Sequence, residues 1–358
     1  MKILHVGEYV KGGVSTYIHL LLKLDKKQQI ENFLILSREK SDRSWDLDEN
    51  HLKYYTYKRN LLNIFMAILK ITKHIKNVKP DVIYCHSTWA GLFVRLPLLF
   101  KKKHVYIIYN AHGWSFLMDT QKWKRKIYAK IEYALSKVTD CIINVSNYEY
   151  KAALDNRISE EKNVMIYSGV EDVKLQYAPQ FATMDSQIKM LYVGRFDFQK
   201  GVDILLDTFQ RCPRNDIQLT LIGDGVISES NGIKLSDRRN IRFLGWQTPE
   251  KVAEYYEQSD VVVMPSRWEA FGLVAIEAMM HAKPVIVSDR GALQELVIDG
   301  VNGWMFSLDD PYGLLDVMKK LKKEEVIKCG IEARKIYESS FTVKKMLKAT
   351  LDVYKRTE

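Results

Sequence analysis

Two carboxylates that bracket seven residues mark the part of this chain best suited to chemistry. Glu269 precedes a Phe271-Gly272 turn, and Glu277 falls inside an otherwise apolar helical run from Leu273 to Met280. A glutamate on a helix is commonly solvated. The neighbours of Glu277 at i−4, i−3, i+3 and i+4 are Leu273, Val274, Met280 and His281, however, and these are mostly apolar. A carboxylate placed there loses hydration unless something hydrogen-bonds to it. The helix is predicted to start near Gly272, so its free N–H groups and positive dipole end face the carboxyl end of a strand, where an anion can sit. Acids on both sides of a phosphate position suit a ligand that joins phosphate to a hydroxyl-rich sugar. A nucleotide sugar is such a ligand.

A second set of residues offers complementary charge. Arg195 and Lys200 lie in Gly194-Arg195-Phe196-Asp197-Phe198-Gln199-Lys200-Gly201, between a strand-like run and a helix. A guanidinium fork and an ammonium in that setting make a diphosphate clamp and stabilise charge growing on a leaving diphosphate; two solvated cations in a loop are the alternative. Gly223-Asp224-Gly225 lacks the third glycine of a dinucleotide fingerprint, so a tight turn explains it equally well. Gly12 and Gly13 precede the first helix, where a phosphate or sugar can approach the backbone. His112 follows a strand end, and a lone histidine is more often structural than catalytic. Asp46-Leu47-Asp48 has the Asp-x-Asp form that can hold a divalent cation, but it sits in the polar stretch from Ser41 to Asn50 and reads as a solvated loop.

Positioning such groups requires strand ends, and the chain supplies them. Short β-type runs alternate with helical patterns throughout, which predicts parallel sheets covered on both faces. The runs are Lys2–Val6, Asn32–Leu36, Val82–Cys85, Val105–Asn110, Cys141–Val145 and Val164–Ile166 in the first half. In the second they are Lys189–Val193, Gln218–Ile222, Ile241–Leu244, Val261–Met264 and Pro284–Val287. The pattern breaks from Gln176 to Gln187, around Pro179, as a junction between two doubly wound domains would. Ligands of such sheets bind outside the carboxyl ends of the strands.

The stretch Glu269–Glu277, with Phe-Gly after the first Glu and Lys-Pro-Val-Ile following, resembles the signature of the glycosyltransferase family 4 enzymes. The resemblance covers nearly the whole chain and is strongest from Met190 to Phe306. It implies an α/β chain of GT-B fold, with two Rossmann-like doubly wound domains facing each other across a cleft. Residues 1–175 would bind the acceptor and 188–340 the nucleotide sugar, and the helix within 341–358 would cross back to the first domain. The resemblance further implies retaining, metal-independent transfer with no cofactor beyond the nucleotide-sugar co-substrate.

By the same resemblance, Arg195 and Lys200 bind the donor phosphates, Glu277 accepts hydrogen bonds from the ribose, and Glu269 faces the transferred sugar. The backbone of Phe271, Gly272 and Leu273 lines the sugar and phosphate site, Gly223 turns beside the nucleotide, and Trp246 stands where the family places the base. The Gly12-Gly13 loop closes over the donor, and His112 contacts the transferred sugar. The catalytic set is thus Glu269, His112, Arg195 and Lys200. Ser168-Gly169-Val170-Glu171 departs from the family's Asn-Gly-Val-Asp and is given no ligand role. The His-Gly-Trp-Ser run and the length resemble O-antigen and capsule transferases, several of which use UDP-linked sugars.

Composition bounds the rest. The 358 residues favour two domains, and an apolar fraction of 47% fills two cores. The first strand begins at Lys2, leaving no room for a signal peptide, and the four cysteines, Cys85, Cys141, Cys212 and Cys329, form no Cys-x-x-Cys pair. Both features point to a reducing cytoplasm. Residues 1–180 carry 29 Lys plus Arg against 18 Asp plus Glu, whereas the remainder is nearly balanced at 25 against 26. That asymmetry predicts an anionic partner for the first half. The runs Leu96–Lys103 and Lys122–Lys137, with Trp123 and Tyr128, suit peripheral contact with an anionic membrane and a saccharide or polyprenyl-diphosphate-linked acceptor. No nucleic-acid motif accompanies the basic charge, so a nucleic-acid-binding protein is an alternative that leaves the carboxylate pair unexplained. A nucleotide-sugar epimerase of the same architecture is the other alternative.

Overall fold

The computed structural model describes residues 1–24, 29–57, 60–100, 105–173, 187–225 and 240–357. The chain divides into two compact units, residues 1–168 with 343–358 and residues 169–342. Most of the linker expected at 176–187 falls outside the described residues.

The first unit is a seven-stranded parallel sheet in the order β3-β2-β1-β4-β5-β6-β7. Its strands are β1 (Lys2–Gly7), β2 (Glu31–Ser37), β3 (Leu52–Tyr55), β4 (Val82–His86), β5 (Tyr106–Asn110), β6 (Cys141–Asn144) and β7 (Asn163–Met165). Its helices are α1 (Gly13–Leu22), α2 (Leu61–Val78), α3 (Thr88–Arg95), α4 (Lys122–Ser136), α5 (Asn147–Asp155) and, from the far end of the chain, α12 (Val343–Tyr354). Alternation along β1 and β4 sends Leu4, Val6, Ile83 and Cys85 to one face, where they pack with Phe93 of α3 and Ile71 of α2. Ile3, Val82 and Tyr84 point to the other face, against Tyr17 of α1 and Met346, Val353 and Tyr354 of α12. β1 lies between β2 and β4, so the order of connection reverses at the β1–β4 pair.

The second unit repeats the plan with six parallel strands in the order β10-β9-β8-β11-β12-β13. They are β8 (Ile188–Val193), β9 (Ile217–Ile222), β10 (Ile241–Phe243), β11 (Val261–Met264), β12 (Val285–Ser288) and β13 (Gly303–Phe306). Helices α6 (Val202–Arg211), α7 (Pro249–Gln258), α8 (Leu273–Met280), α9 (Leu293–Leu296), α10 (Gly313–Lys320) and α11 (Lys323–Ser340) complete it. All four residues of β11 and of β12 are buried, as strands covered on both faces must be. The reversal here falls between β8 and β11, and their carboxyl ends are where a ligand is expected.

Two strands went unforeseen. β3 is a four-residue edge strand with only Tyr55 fully buried, so it carries no apolar run. β13 opens on Gly303, which weakens the strand pattern. A Cβ at Gly303 would stand 2.1 Å from the Val285 carbonyl oxygen, so close strand pairing is what requires the glycine.

Candidate functional site

At the reversal of the second unit, the loops leaving β8 and β11 are bound to one another. Lys200 Nζ forms an ion pair with Glu269 Oε1, and the same oxygen accepts a hydrogen bond from Ser266 Oγ at 3.1 Å. Glu269 is only 8% exposed, so the pair stands in a setting where its charges are poorly screened. Ser288, the last residue of β12, anchors the second loop by donating to the Ser266 carbonyl at 2.5 Å. Arg267 N–H donates to the Gln199 carbonyl at 2.8 Å, and Gln199 Nε2 donates to the Trp268 carbonyl at 3.2 Å.

Glycine makes this proximity possible. Gly201 has φ +67°, and a Cβ there would lie 2.0 Å from the Pro265 carbonyl oxygen. At Gly291, φ +60°, a Cβ would lie 2.2 Å from the Glu269 carbonyl oxygen. Both positions combine a left-handed backbone with no room for a side chain.

The same loop carries a second, bidentate pair. Arg267 donates from Nη1 and Nη2 to Asp203 Oδ1 and Oδ2 at 2.9 and 2.7 Å, and its guanidinium lies 3.9 Å from the centre of the Phe198 ring. Burial raises the Asp203 pKa, but the Arg267 hydrogen bonds and charge, together with the backbone N–H groups of Asp203 and Ile204, outweigh it and hold the carboxyl below its ordinary range. Arg195 is freer. Its guanidinium, 53% exposed, pairs with Asp197 at 3.0 Å and bonds Gln199 at 3.1 Å. Arg195 and Lys200 therefore both reach the loop surface with a local partner, and a diphosphate would compete for them with Asp197 and Glu269.

Helix α8 begins at Gly272, φ +105°, with no side chain capping its N–H groups. α6 begins the same way at Gly201 and α1 at Gly12. By contrast, Asn60, Ser146 and Thr248 cap α2, α5 and α7. An N-terminus without a side-chain cap leaves donors for a ligand. Phe271 is buried against Phe341, so at that position only the backbone is placed to line a site.

Further along α8, Glu277 accepts a 2.9 Å hydrogen bond from the Tyr256 hydroxyl of α7. Burial pushes its carboxyl up to about 7, a rise the Tyr256 bond partly offsets. Gly223 ends β9 at φ +147°, and a Cβ there would overlap the Gly194 carbonyl, so the turn packs directly on the Arg195 loop. Trp246 is 72% exposed, a large apolar side chain mostly open to solvent.

In the first unit, Gly12 has φ +55° with open space where a Cβ would be, and Gly13 starts α1. Glu8, buried just after β1, holds Lys40 Nζ at 2.9 Å. His112 adopts φ +50°, unusual for a side-chain-bearing residue, and its N–H donates to Asn110 Oδ1 at 2.9 Å. Burial drives its pKa down to about 3, so the ring is neutral. Its Nε2 meets His86 Nδ1 at 3.1 Å. Asp46 and Asp48 are both solvent-exposed.

Sequence reasoning passed over Tyr256, Ser266, the Asp203–Arg267 pair and His86. Tyr256 could have been found as the polar partner that a helix-buried Glu277 demands. His86 is placed by strand register, and Asp203 meets Arg267 only where the loop after β11 reaches α6, neither of which a linear pattern displays.

Residues 187–324 match the family described as glycosyl transferases group 1, and residues 11–174 match glycosyltransferase family 4. An uncharacterised 41.2 kDa protein of the cps region of Klebsiella pneumoniae is 35% identical over 327 residues, 89% of either chain. An uncharacterised glycosyltransferase of Methanocaldococcus jannaschii is 30% identical over 99% of this chain and 98% of its own. An O-antigen biosynthesis glycosyltransferase of Escherichia coli is 28% identical over 80% of each. Among solved structures, Anabaena HepE in complex with UDP and glucose superposes with a TM-score of 0.81 at 19% identity, over 99% of this chain and 100% of that one.

Proposed function

The chain belongs to the glycosyltransferases of group 1 and family 4, with the GT-B fold, and we propose that it moves a sugar from a UDP-linked donor to a saccharide or polyprenyl-diphosphate-linked acceptor. The product is a cell-surface polysaccharide. The cps-region relative and the O-antigen transferase support that setting, and HepE, which binds UDP and glucose, supports the donor.

One observation carries the reading: Lys200 and Glu269 meet at the reversal of the second sheet, beside a helix start with no side-chain cap. Lys200, Arg195 and the α8 dipole receive the diphosphate, and Glu277 receives the ribose hydroxyls. Gly223 and Trp246 flank the nucleotide, and Glu269 with the 271–273 backbone holds the transferred sugar. Gly12, Gly13 and His112 are the residues the first unit, taken by itself, offers to a sugar or phosphate. The anomeric C–O bond breaks with its electron pair going to the diphosphate. The acceptor oxygen then bonds to the same face of the anomeric carbon, giving retention, and its proton passes to the departing phosphate oxygen. The cations take the electrostatic role a metal would have.

A surface of the first unit supports membrane contact. Along α4, Trp123, Ile127 and Ile131 are exposed at four-residue spacing, so they form one ridge, with Lys122, Lys124, Lys126 and Lys130 around it. Lys101, Lys102 and Lys103 lie outside the described residues. Among the described residues no helix is long and apolar enough to cross a membrane. The enzyme works at the cytoplasmic face, against anionic lipid.

Thermal shift with UDP, GDP and ADP and their common sugars tests the donor. UDP at about 100 times its Kd should stabilise the fold by about 2.7 kcal/mol. Absence of any shift with all three nucleotides would remove the donor site. Rapid conversion of a donor sugar without any acceptor would favour an epimerase instead.

A further inference from the structure

Three histidines from three separate stretches of the first unit form one hydrogen-bonded line. Asn32 Oδ1, on β2, stands 3.1 Å from His5 Nε2 on β1. His5 Nδ1 stands 3.1 Å from His86 Nε2 at the end of β4, and His86 Nδ1 the same distance from His112 Nε2. The parallel register accounts for the alignment: Gly7 pairs with His86, which puts His5 two residues back on the same face, and His86 pairs with Asn110, two residues before His112. The rings of His5 and His86 stack at 5.3 Å, and those of His86 and His112 at 5.4 Å. Tyr17 packs edge-on against His112 at 4.9 Å, and Tyr84 covers His86 at 4.2 Å. His5 and His86 are fully buried.

A neutral imidazole donates from one nitrogen and accepts at the other. Burial lowers the pKa of all three rings, with the neighbouring histidines adding to the effect at His86, so the line is neutral at pH 7. In such a line each ring dictates the next. A carbonyl oxygen at the Asn32 end accepts only from a protonated His5 Nε2, which leaves His5 Nδ1 bare to accept from His86 Nε2–H. His86 Nδ1 is then bare and accepts from His112 Nε2–H. Left-handed backbone accompanies two of the rings, with φ +88° at Ser87, just after His86, and φ +50° at His112 itself.

We infer that Asn32, His5 and His86 are positioning residues that hold His112 in one tautomer, Nε2 protonated and Nδ1 bare, so that His112 meets the sugar as a hydrogen-bond acceptor. The inference rests on the proposed transfer reaction for the sugar, but the tautomer itself is independent of it.

The test is nitrogen-15 NMR of histidine-labelled full-length protein at pH 7.5, with His112→Gln used to assign the His112 signals. Wild type should show His112 with a protonated Nε2 and an unprotonated Nδ1. Asn32→Asp keeps an acceptor at the head of the line and should preserve that spectrum. Asn32→Leu removes it and should give a mixture of tautomers, with kcat down about tenfold, the size that outer partners of a functional histidine carry, and KM for the donor little changed. Melting curves on both variants show that each is folded. A tautomer mixture in wild type, a protonated Nδ1, or an unchanged spectrum in Asn32→Leu would overturn the inference. Full turnover by His112→Ala would instead detach His112 from the transfer reaction, while the spectra still decide whether the line sets its tautomer.

Discussion

Lys200 and Glu269, 69 residues apart in sequence, close an ion pair across the carboxyl ends of adjacent strands β8 and β11. The pair ties the two loops that leave the reversal of the sheet, so the cation proposed for the leaving diphosphate and the acid proposed for the sugar hold each other in place. Lys200→Ala should abolish turnover and leave Glu269 without its cation, at a stability cost of about 1–3 kcal/mol. Adding Glu269→Gln should recover much of that stability and none of the activity. Comparing kcat/KM with urea midpoints separates the two effects, and full activity in Lys200→Ala would remove the proposed clamp.

Glu277 gives a pH signature. Its folded pKa of about 7 lies above the ordinary value of 4.5, so the native state keeps a proton that the unfolded chain releases in between. Stability should therefore fall as pH rises from about 4.5 to about 7, by something on the order of 3 kcal/mol once the carboxyl is fully ionised. Glu277→Gln keeps an acceptor for the Tyr256 hydroxyl and has no charge to bury. Urea denaturation should find the variant more stable than wild type at pH 8 and little different at pH 4.5, with turnover lost at both. Equal pH slopes would mean that Glu277 is already well solvated or paired.

Tyr256→Phe probes the same carboxylate from the other side. Loss of the 2.9 Å hydrogen bond should cost about 1 kcal/mol and raise the Glu277 pKa further. A neutral Glu277 is a poorer acceptor for ribose hydroxyls, so the donor KM should rise. Isothermal titration with UDP checks this directly, and an unchanged Kd would detach Glu277 from the nucleotide.

The α4 ridge predicts binding to vesicles that contain anionic phospholipid, weakened by salt. Replacing Trp123, Ile127 and Ile131 together with Ser should abolish co-sedimentation while leaving soluble-acceptor turnover intact. Equal binding to neutral vesicles, or unaltered binding by the triple variant, would contradict the lysine-flanked ridge as the contact.

Much of the architecture could be read from the chain. Runs such as Val261–Met264 and Pro284–Val287 are apolar at every position because the strands they form are covered on both faces, and a continuous run between turn signals survives without an alignment. The Phe271-Gly272 turn likewise announced the start of α8, since only glycine tolerates φ +105° there. Short pieces at the sheet margins were silent: β3 has one buried residue, and β13 begins with the glycine that a strand pattern counts against itself. Side-chain partnerships were silent for another reason. His5, His86 and His112 share no sequence period, and only the parallel register of β1, β4 and β5 lines them up. Tyr256 reaches Glu277 through tertiary packing of α7 on α8, which the amphipathic pattern of either helix alone does not specify.

Helix α12 has a bearing on how the molecule is made. Its residues Met346, Val353 and Tyr354, alongside Tyr17 of α1, roof the face of β1 and β4 that bears Tyr84, yet they follow the whole second unit in the chain. A ribosome therefore releases the amino-terminal unit with one helix of that layer missing, and the part of the face it covers stays wet until residues 343–354 emerge. The second unit, continuous from 169 to 342, has every part it needs before then. Biogenesis thus runs against the reading direction: the lobe translated first is the one completed last.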